Sequence, residues 1–251
     1  MMRTFGLIGY PLSHSFSALF FSRKFEQESI RDSAYSLFPL PDIAELPHLL
    51  AETAPLGLNV TIPYKVSVLP FVEELDPAAA EIGAVNCLKI SYTGDRPFIK
   101  GYNTDAYGFE ASLSPLLQVH HQKALIFGDG GAASAVKYVL NKLGIQFISV
   151  LRRPAAGGIL YGDLDEALLA EHSLLINTTP VGTYPDVSAC PEIPYSFVTS
   201  KHLAYDLVYN PEETLFLKMV KERGGTTKNG LEMLQLQAER SWEIWMSGHE
   251  I

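Results

Sequence analysis

The chain has 251 residues, 47% hydrophobic and 19% charged, which excludes a disordered or fibrous protein and leaves room for one large domain or two small ones. A formal net charge of −9 argues against nucleic-acid binding, which needs a basic face, but leaves open a locally positive site for a small anion. The only cysteines, Cys87 and Cys190, lack CxxC spacing, so neither a metal site nor a disulfide framework is expected; both read as small, partly buried hydrophobes.

From the N-terminus, MMRTFGLIGYPLSHS lacks the apolar core of a signal peptide, and no apolar run approaches the roughly 20 residues of a membrane span. The expectation is a cytoplasmic protein without a membrane partner. TFGLIG reads as a strand and SALFFSRKFEQ as a helix with Ala18, Phe21 and Phe25 on one face. Between them lies YPLSHSFS. Ser15 and Ser17 can donate hydroxyl hydrogen bonds to an anion near the helix start, although in isolation the favoured reading is that one of them is the N-cap. His14 reads as a structural histidine.

NVTIPYK follows at 59–65. Val60 and Ile62 alternate with Asn59 and Thr61, the pattern of a strand with one apolar and one polar face. Pro63 ends the strand. Lys65 opens KVSVLPFVEEL, which reads as a helix, although a cation there faces the positive end of the dipole. GAVNCLKISYT and RPFIKGYN form a strand pair turning at Thr93-Gly94-Asp95. Asp105, which opens the next helix, resembles an N-cap by position.

Strand and helix then alternate: KALIFG, AASAVKYVLNKLG, QFISVLR, LLIN and LAYDLVY. The polar loop INTTPVG after LLIN reads as turn chemistry. Asn210, Pro211 and Glu213 carry the N-cap, N1 and N3 signals of a helix that Gly224-Gly225 would end. The last helix, GLEMLQLQAERSWEIW, repeats apolar residues at Leu231, Leu234, Ala238, Trp242 and Trp245. Such alternation implies parallel sheets with covering helices, in two blocks meeting near residue 104 and leaving a cleft.

Gly128-Asp129-Gly130-Gly131-Ala132-Ala133 lies between a strand and an amphipathic helix and fits G-x-G-x-x-G/A. Free amides at the helix start can bind a pyrophosphate. Asp129 must point away, since its carboxylate would repel a diphosphate. After the next strand, where an acid would bind the ribose of NAD, the chain has Leu151-Arg152-Arg153. Two guanidinium groups suit a 2′-phosphate, so NADP is the expected cofactor.

HSFS, NVTIPYK, GAVN at 83–86, GYNTDAYGF at 101–109, GDGGA, INTTPVG, YDLVY and GLEMLQLQA occur in one order. Together they resemble the shikimate dehydrogenase family, from Phe5 to about Trp245. The resemblance implies an α/β fold of two domains: a discontinuous substrate-binding domain, 1–104 plus 231–251, and a Rossmann-type NADP-binding domain with a parallel sheet, 105–230. It implies reversible NADPH-dependent reduction of 3-dehydroshikimate to shikimate in aromatic amino-acid biosynthesis. Motif by motif, Ser15, Ser17 and Tyr209 would hold the substrate carboxylate. Asn59, Thr61, Asn86, Asp105 and Gln237 would line the ring, and Lys65 would be the acid/base, with Asp105 as its partner. Gly128, Asp129, Gly130, Gly131, Ala132, Arg152 and Arg153 would bind the cofactor, with Leu207 and Gly230 near the nicotinamide. A monomer or homodimer is expected. Ala18, Cys87, Asp129 and Leu151 depart from the family's usual proline, threonine, alanine and asparagine.

Carbonyl reduction needs a hydride from the cofactor and a proton from a side chain. An ordinary lysine, pKa about 10.4, is protonated at neutral pH and can donate. In the oxidation direction it must first lose that proton, so the rate should rise with pH. The alternatives are a quinate/shikimate dehydrogenase using NAD or NADP, a folate-linked dehydrogenase of similar build, and a non-catalytic ligand sensor.

Overall fold

A computed structural model describes residues 2–12, 16–155 and 157–248, and the chain divides into two compact units, residues 1–107 with 237–251 and residues 108–236. In chain order the first stretch forms β1 (Arg3–Gly9), α1 (Phe16–Gln27), β2 (Ser33–Pro39), α2 (Leu46–Thr53), β3 (Gly57–Val60), α3 (Tyr64–Ser67), β4 (Glu74–Leu75), α4 (Pro77–Ile82), β5 (Cys87–Thr93) and β6 (Arg96–Tyr102). Then come α5 (Thr104–Leu113), β7 (Lys123–Phe127), α6 (Gly131–Lys142), β8 (Gln146–Leu151), β9 (Gly158–Leu160), α7 (Glu166–Glu171), β10 (Leu174–Asn177), β11 (Leu203–Asp206), α8 (Leu215–Lys221), β12 (Thr226–Lys228) and α9 (Leu231–Met246).

The first unit's sheet has the order β2-β1-β3-β5-β6-β4. It is mixed rather than wholly parallel, because β5 and β6 form a hairpin across Gly94-Asp95 and β5 pairs antiparallel with β3. Gly94 takes the left-handed conformation this tight turn needs (φ 61°). Ile8, Leu58, Val60, Val85, Leu88 and Ile90 pack with Leu46, Leu49 and Leu50 of α2 in one core cluster. A second cluster joins Phe5, Phe21 of α1, Cys87, and Ala238, Ile244 and Trp245 of α9. α9 therefore buries the face carrying Met233, Gln237, Ala238, Ser241, Ile244 and Trp245, a set rotated from the expected stripe that includes two polar side chains.

Two expectations for 56–75 are corrected. The strand ends at Val60, and both of its faces are covered: Val60 joins the α2 side while Asn59, on the other, is buried as well. Ile62 lies beyond the strand and is exposed. The helix expected over KVSVLPFVEEL is only α3, followed by a 3₁₀ turn at Leu69–Phe71 and then β4, which pairs with β6. Pro70 has no N–H for an α-helical bond, which stops the helix there.

The second unit's sheet runs β12-β11-β10-β7-β8-β9 with every neighbouring pair parallel. Counted from β7, this is the strand order 3-2-1-4-5-6 of doubly wound dinucleotide-binding sheets, whose order reverses between β7 and β10. Leu125, Phe127, Val150, Leu175, Ala204 and Phe216 build its core. The helix expected from Asn210 starts later: Thr214 caps α8, accepting from the Leu217 amide, and residues 210–213 are a bend. Beyond α8, Gly224 takes a positive φ of 82° and the Gly225 amide bonds back to Val220, as the expected stop requires. Among the described residues, no helix is long and apolar enough to cross a membrane.

Candidate active site

In the first unit, Lys65 sits in the single turn α3 and Asp105 in the first turn of α5. Their side chains meet at 2.6 Å, Nζ to Oδ2, with 22% and 15% of each exposed, so the pair is accessible yet shielded. Backbone pairing sets this meeting. The Val85 amide donates to the Lys65 carbonyl (2.8 Å), tying the GAVN loop to α3. Asp105 is not the N-cap of α5. That role falls to Asn103, whose Oδ1 accepts from the Ala106 amide (3.1 Å) and whose Nδ2 donates to the Ala84 carbonyl (3.0 Å). The Asp105 carboxylate is thereby left for Lys65 rather than spent on helix amides.

Behind the pair lies a buried polar layer. Asn86 Oδ1 accepts from the Thr104 amide at 2.6 Å, and its Nδ2 donates to Thr104 Oγ1 at 3.0 Å. Asn59 Oδ1 accepts from the Tyr35 hydroxyl (2.8 Å), and its Nδ2 donates to Ser241 Oγ (2.9 Å). Burial pushes the Tyr35 phenol far up, and Ser17, in the first turn of α1, lies within reach of its hydroxyl. Gln237 is buried beside Thr104. Thr61 follows β3, its amide bonded to the Ile8 carbonyl. Lys65, Asp105, Ser17, Asn59, Thr61, Asn86 and Gln237 thus belong to one unit. Ser15 and His14 lie outside the described residues. Asn59 faces protein partners on both ends of its amide. Tyr35, Thr104 and Ser241 were missed by sequence reasoning; the spacing Gln237–Ser241, one helical turn, was the available signal.

In the second unit, a cavity of about 580 Å³ opens at the carboxyl ends of the strands, where the order reverses. Gly128, Asp129, Gly130, Leu151, Arg152, Arg153, Tyr161 and Thr178–Pro180 line it. Gly128 has φ 101°, and a Cβ there would meet the Thr179 methyl at 2.7 Å; Gly130 and Gly131 have open space where theirs would be. Gly130 caps the 12-residue α6 with no side-chain bond, so the first amides of that helix stay available. Ala133, the third position of the glycine pattern, is fully buried, and Ala132 partly so. Asp129 is ion-paired with Lys137, which answers the repulsion raised by a carboxylate in this loop. Arg152 and Arg153 are exposed at the rim and, among the described residues, form no ion pair. Open amides at a helix start beside two uncommitted guanidinium groups fit a dinucleotide with an extra phosphate.

The loops after β10 and β11 are locked together. The Thr178 amide and hydroxyl both donate to the Phe127 carbonyl (3.0 and 2.8 Å), so INTTPVG is part of the cavity wall rather than a plain turn. Asn177 Nδ2 donates to Asp206 Oδ1 at 2.9 Å. Leu207 and Tyr209 follow Asp206. Gly230 approaches Leu207 so closely that a Cβ would strike its carbonyl oxygen at 2.1 Å. Leu207, Tyr209 and Gly230 therefore share the second unit with the cofactor-type cavity.

A family model described as the shikimate dehydrogenase substrate binding domain matches residues 7–88. The chain is 38% identical to a shikimate dehydrogenase (NADP(+)) of Carboxydothermus hydrogenoformans, covering 96% of this chain and 90% of that one. Its fold is similar to a chorismate mutase/shikimate 5-dehydrogenase fusion protein from Clostridium acetobutylicum (TM-score 0.85, 38% identity, 98% of this chain and 91% of that one). It is also similar to the Thermus thermophilus shikimate 5-dehydrogenase solved with NADP(H) and shikimate (TM-score 0.82, 31% identity, 97% and 93%).

Proposed function

The chain belongs to the shikimate dehydrogenase family, and from that membership we infer that it interconverts shikimate and 3-dehydroshikimate with NADP(H). The observation that carries this reading is the Lys65–Asp105 pair at 2.6 Å. A binding protein needs neither a proton donor nor the carboxylate that aims it, whereas a carbonyl reductase needs both. When bound, the nicotinamide supplies or accepts the hydride. Lys65 gives its proton to the carbonyl oxygen in reduction and takes the hydroxyl proton in oxidation. Asp105 holds the ammonium in place and can accept a bond from a ring hydroxyl with its remaining lone pairs. Asn59, Thr61, Asn86 and Gln237 contact the ring. Ser15, Ser17 and Tyr209 take the carboxylate. The amides of Gly130, Gly131 and Ala132 at the start of α6 take the diphosphate, Arg152 and Arg153 the 2′-phosphate, and Leu207 and Gly230 the nicotinamide side.

The test is a steady-state assay with shikimate and quinate, each with NADP⁺ and NAD⁺, on wild type and Lys65→Ala. Wild type should work best with shikimate and NADP⁺. Lys65→Ala should lose roughly 10²–10⁴-fold in kcat while its KM for shikimate changes little. Full turnover in Lys65→Ala removes this lysine from the chemistry, and no absorbance change with shikimate under any pairing sinks the assignment.

A further inference from the structure

We propose that the buried hydroxyls of Thr104 and Ser241 are positioning groups that anchor the Nδ2 ends of the Asn86 and Asn59 amides, and so set the affinity for the hydroxylated ring. The proposal rests on the substrate reading above.

Ser241 has a single hydroxyl hydrogen, and the Gln237 carbonyl one turn earlier in α9 takes it at 2.9 Å. Its oxygen can then only accept, so the group facing it at 2.9 Å must be the Nδ2 end of Asn59. The second amide hydrogen of Asn59 is directed to the Asn86 carbonyl, a longer contact of 3.4 Å. Oδ1 of Asn59 therefore faces Tyr35, whose hydroxyl donates to it. Both Nδ2 hydrogens of Asn59 are thus engaged by the protein, and Oδ1 keeps one lone pair beside the Tyr35 bond.

At Asn86 the fixed point is the Thr104 backbone amide, which can only donate and so claims Oδ1. Nδ2 must then face Thr104 Oγ1, which accepts from it. The proton of Thr104 has three acceptors in reach: Asn86 Oδ1 at 3.2 Å, Ser241 Oγ at 3.2 Å and Gln237 Oε1 at 3.4 Å. Asn86 keeps one amide hydrogen with no partner among the described residues, and this is the group offered to the ring. Both hydroxyls are completely or almost completely buried. Burying them in an apolar surround would be costly, and here each hydroxyl hydrogen has an acceptor in reach. If Thr104 lost its oxygen, Nδ2 of Asn86 would lose its partner, and the Thr104 amide alone would hold the hydrogen offered to the ring.

Thr104→Val keeps the volume and removes the hydroxyl; Ser241→Ala removes the acceptor for Asn59. Steady-state shikimate oxidation should show KM for shikimate rising about tenfold in each variant, with KM for NADP⁺ held within about twofold. The double variant should lose less than the product of the two, because both act on one network. Thr104→Ser, which restores the oxygen, should recover most of the lost affinity. Unchanged shikimate KM in Thr104→Val overturns the proposal. So does Thr104→Ser behaving like Thr104→Val, or a parallel rise in NADP⁺ KM, either of which marks loosened packing instead. If Ser241→Ala does not fold, the Thr104 pair decides alone. A wild type that neither oxidises nor binds shikimate, the binding read by titration calorimetry, sinks the substrate reading and this proposal with it; a normal wild type with unaffected variants sinks this proposal only.

Discussion

Asp206, the last residue of β11, is fully buried and accepts from the Thr214 hydroxyl at 2.6 Å, the Val208 amide at 3.0 Å and Asn177 Nδ2 at 2.9 Å. Burial disfavours the charged form more than these donors favour it, and the carboxyl is pushed up to about 6. The native state thus binds this proton more tightly than the unfolded chain, whose carboxyl titrates near the ordinary 3.8. The resulting stability is complete below about pH 4 and is lost as pH rises through about 6. Asp206→Asn cannot titrate. The unfolding free energy of wild type minus that of the variant should therefore fall by about 2 kcal/mol between pH 4.5 and 7. Urea unfolding at pH 4.5, 6 and 7 checks this, and a flat difference would show that the charge is not penalised. Lys65 and Asp105 illustrate the same scale differently. Their types and order were legible as a motif, but Asp105 also looked like a helix cap until Asn103 was seen to hold that place.

Helix starts show how far local signals reach. Asn210, Pro211 and Glu213 make a good N-terminus on paper, yet the cap of α8 lies four residues beyond Asn210, at Thr214. Thr214 satisfies two demands at once, the amide of Leu217 and the buried carboxylate of Asp206, and the second is invisible to a window of neighbouring residues. Thr214→Val keeps the shape and loses both bonds. It should lower the unfolding free energy by about 1–3 kcal/mol, with Thr214→Ser keeping most of it, as read by urea unfolding. Equal stability of the valine and serine variants would reduce Thr214 to a packing residue. The same reasoning explains KVSVLPFVEEL. Its apolar spacing suits a helix, but Pro70 interrupts it and β6 offers Glu74 and Leu75 a strand partner. β3 was legible as a strand of alternating residues. That its polar face is covered by α9, from 182 residues further on, was not.

At the scale of the whole chain, α9 returns the chain to the first unit from residue 237 on. Trp245 is fully buried there, stacked on Phe5 with centroids 5.0 Å apart and donating its indole N–H to the Leu88 carbonyl at 2.9 Å. Trp245→Ala should cost about 3–5 kcal/mol in urea unfolding, and a loss below 1 kcal/mol would mean that α9 is not part of that core. By itself the sequence determined the α/β alternation, the hairpin at Gly94-Asp95, the glycine loop with its arginine pair, and the Lys65 and Asp105 motifs. These are set by residues adjacent in the chain, through backbone sterics, periodicity and turn chemistry. Only the tertiary structure decided the mixed order of the first sheet, the start of α8, and the engagement of Asn59 by Tyr35 and Ser241. Each depends on a hydrogen-bond partner brought from far along the chain, and a buried polar group is defined by where its partner sits rather than by its neighbours in sequence.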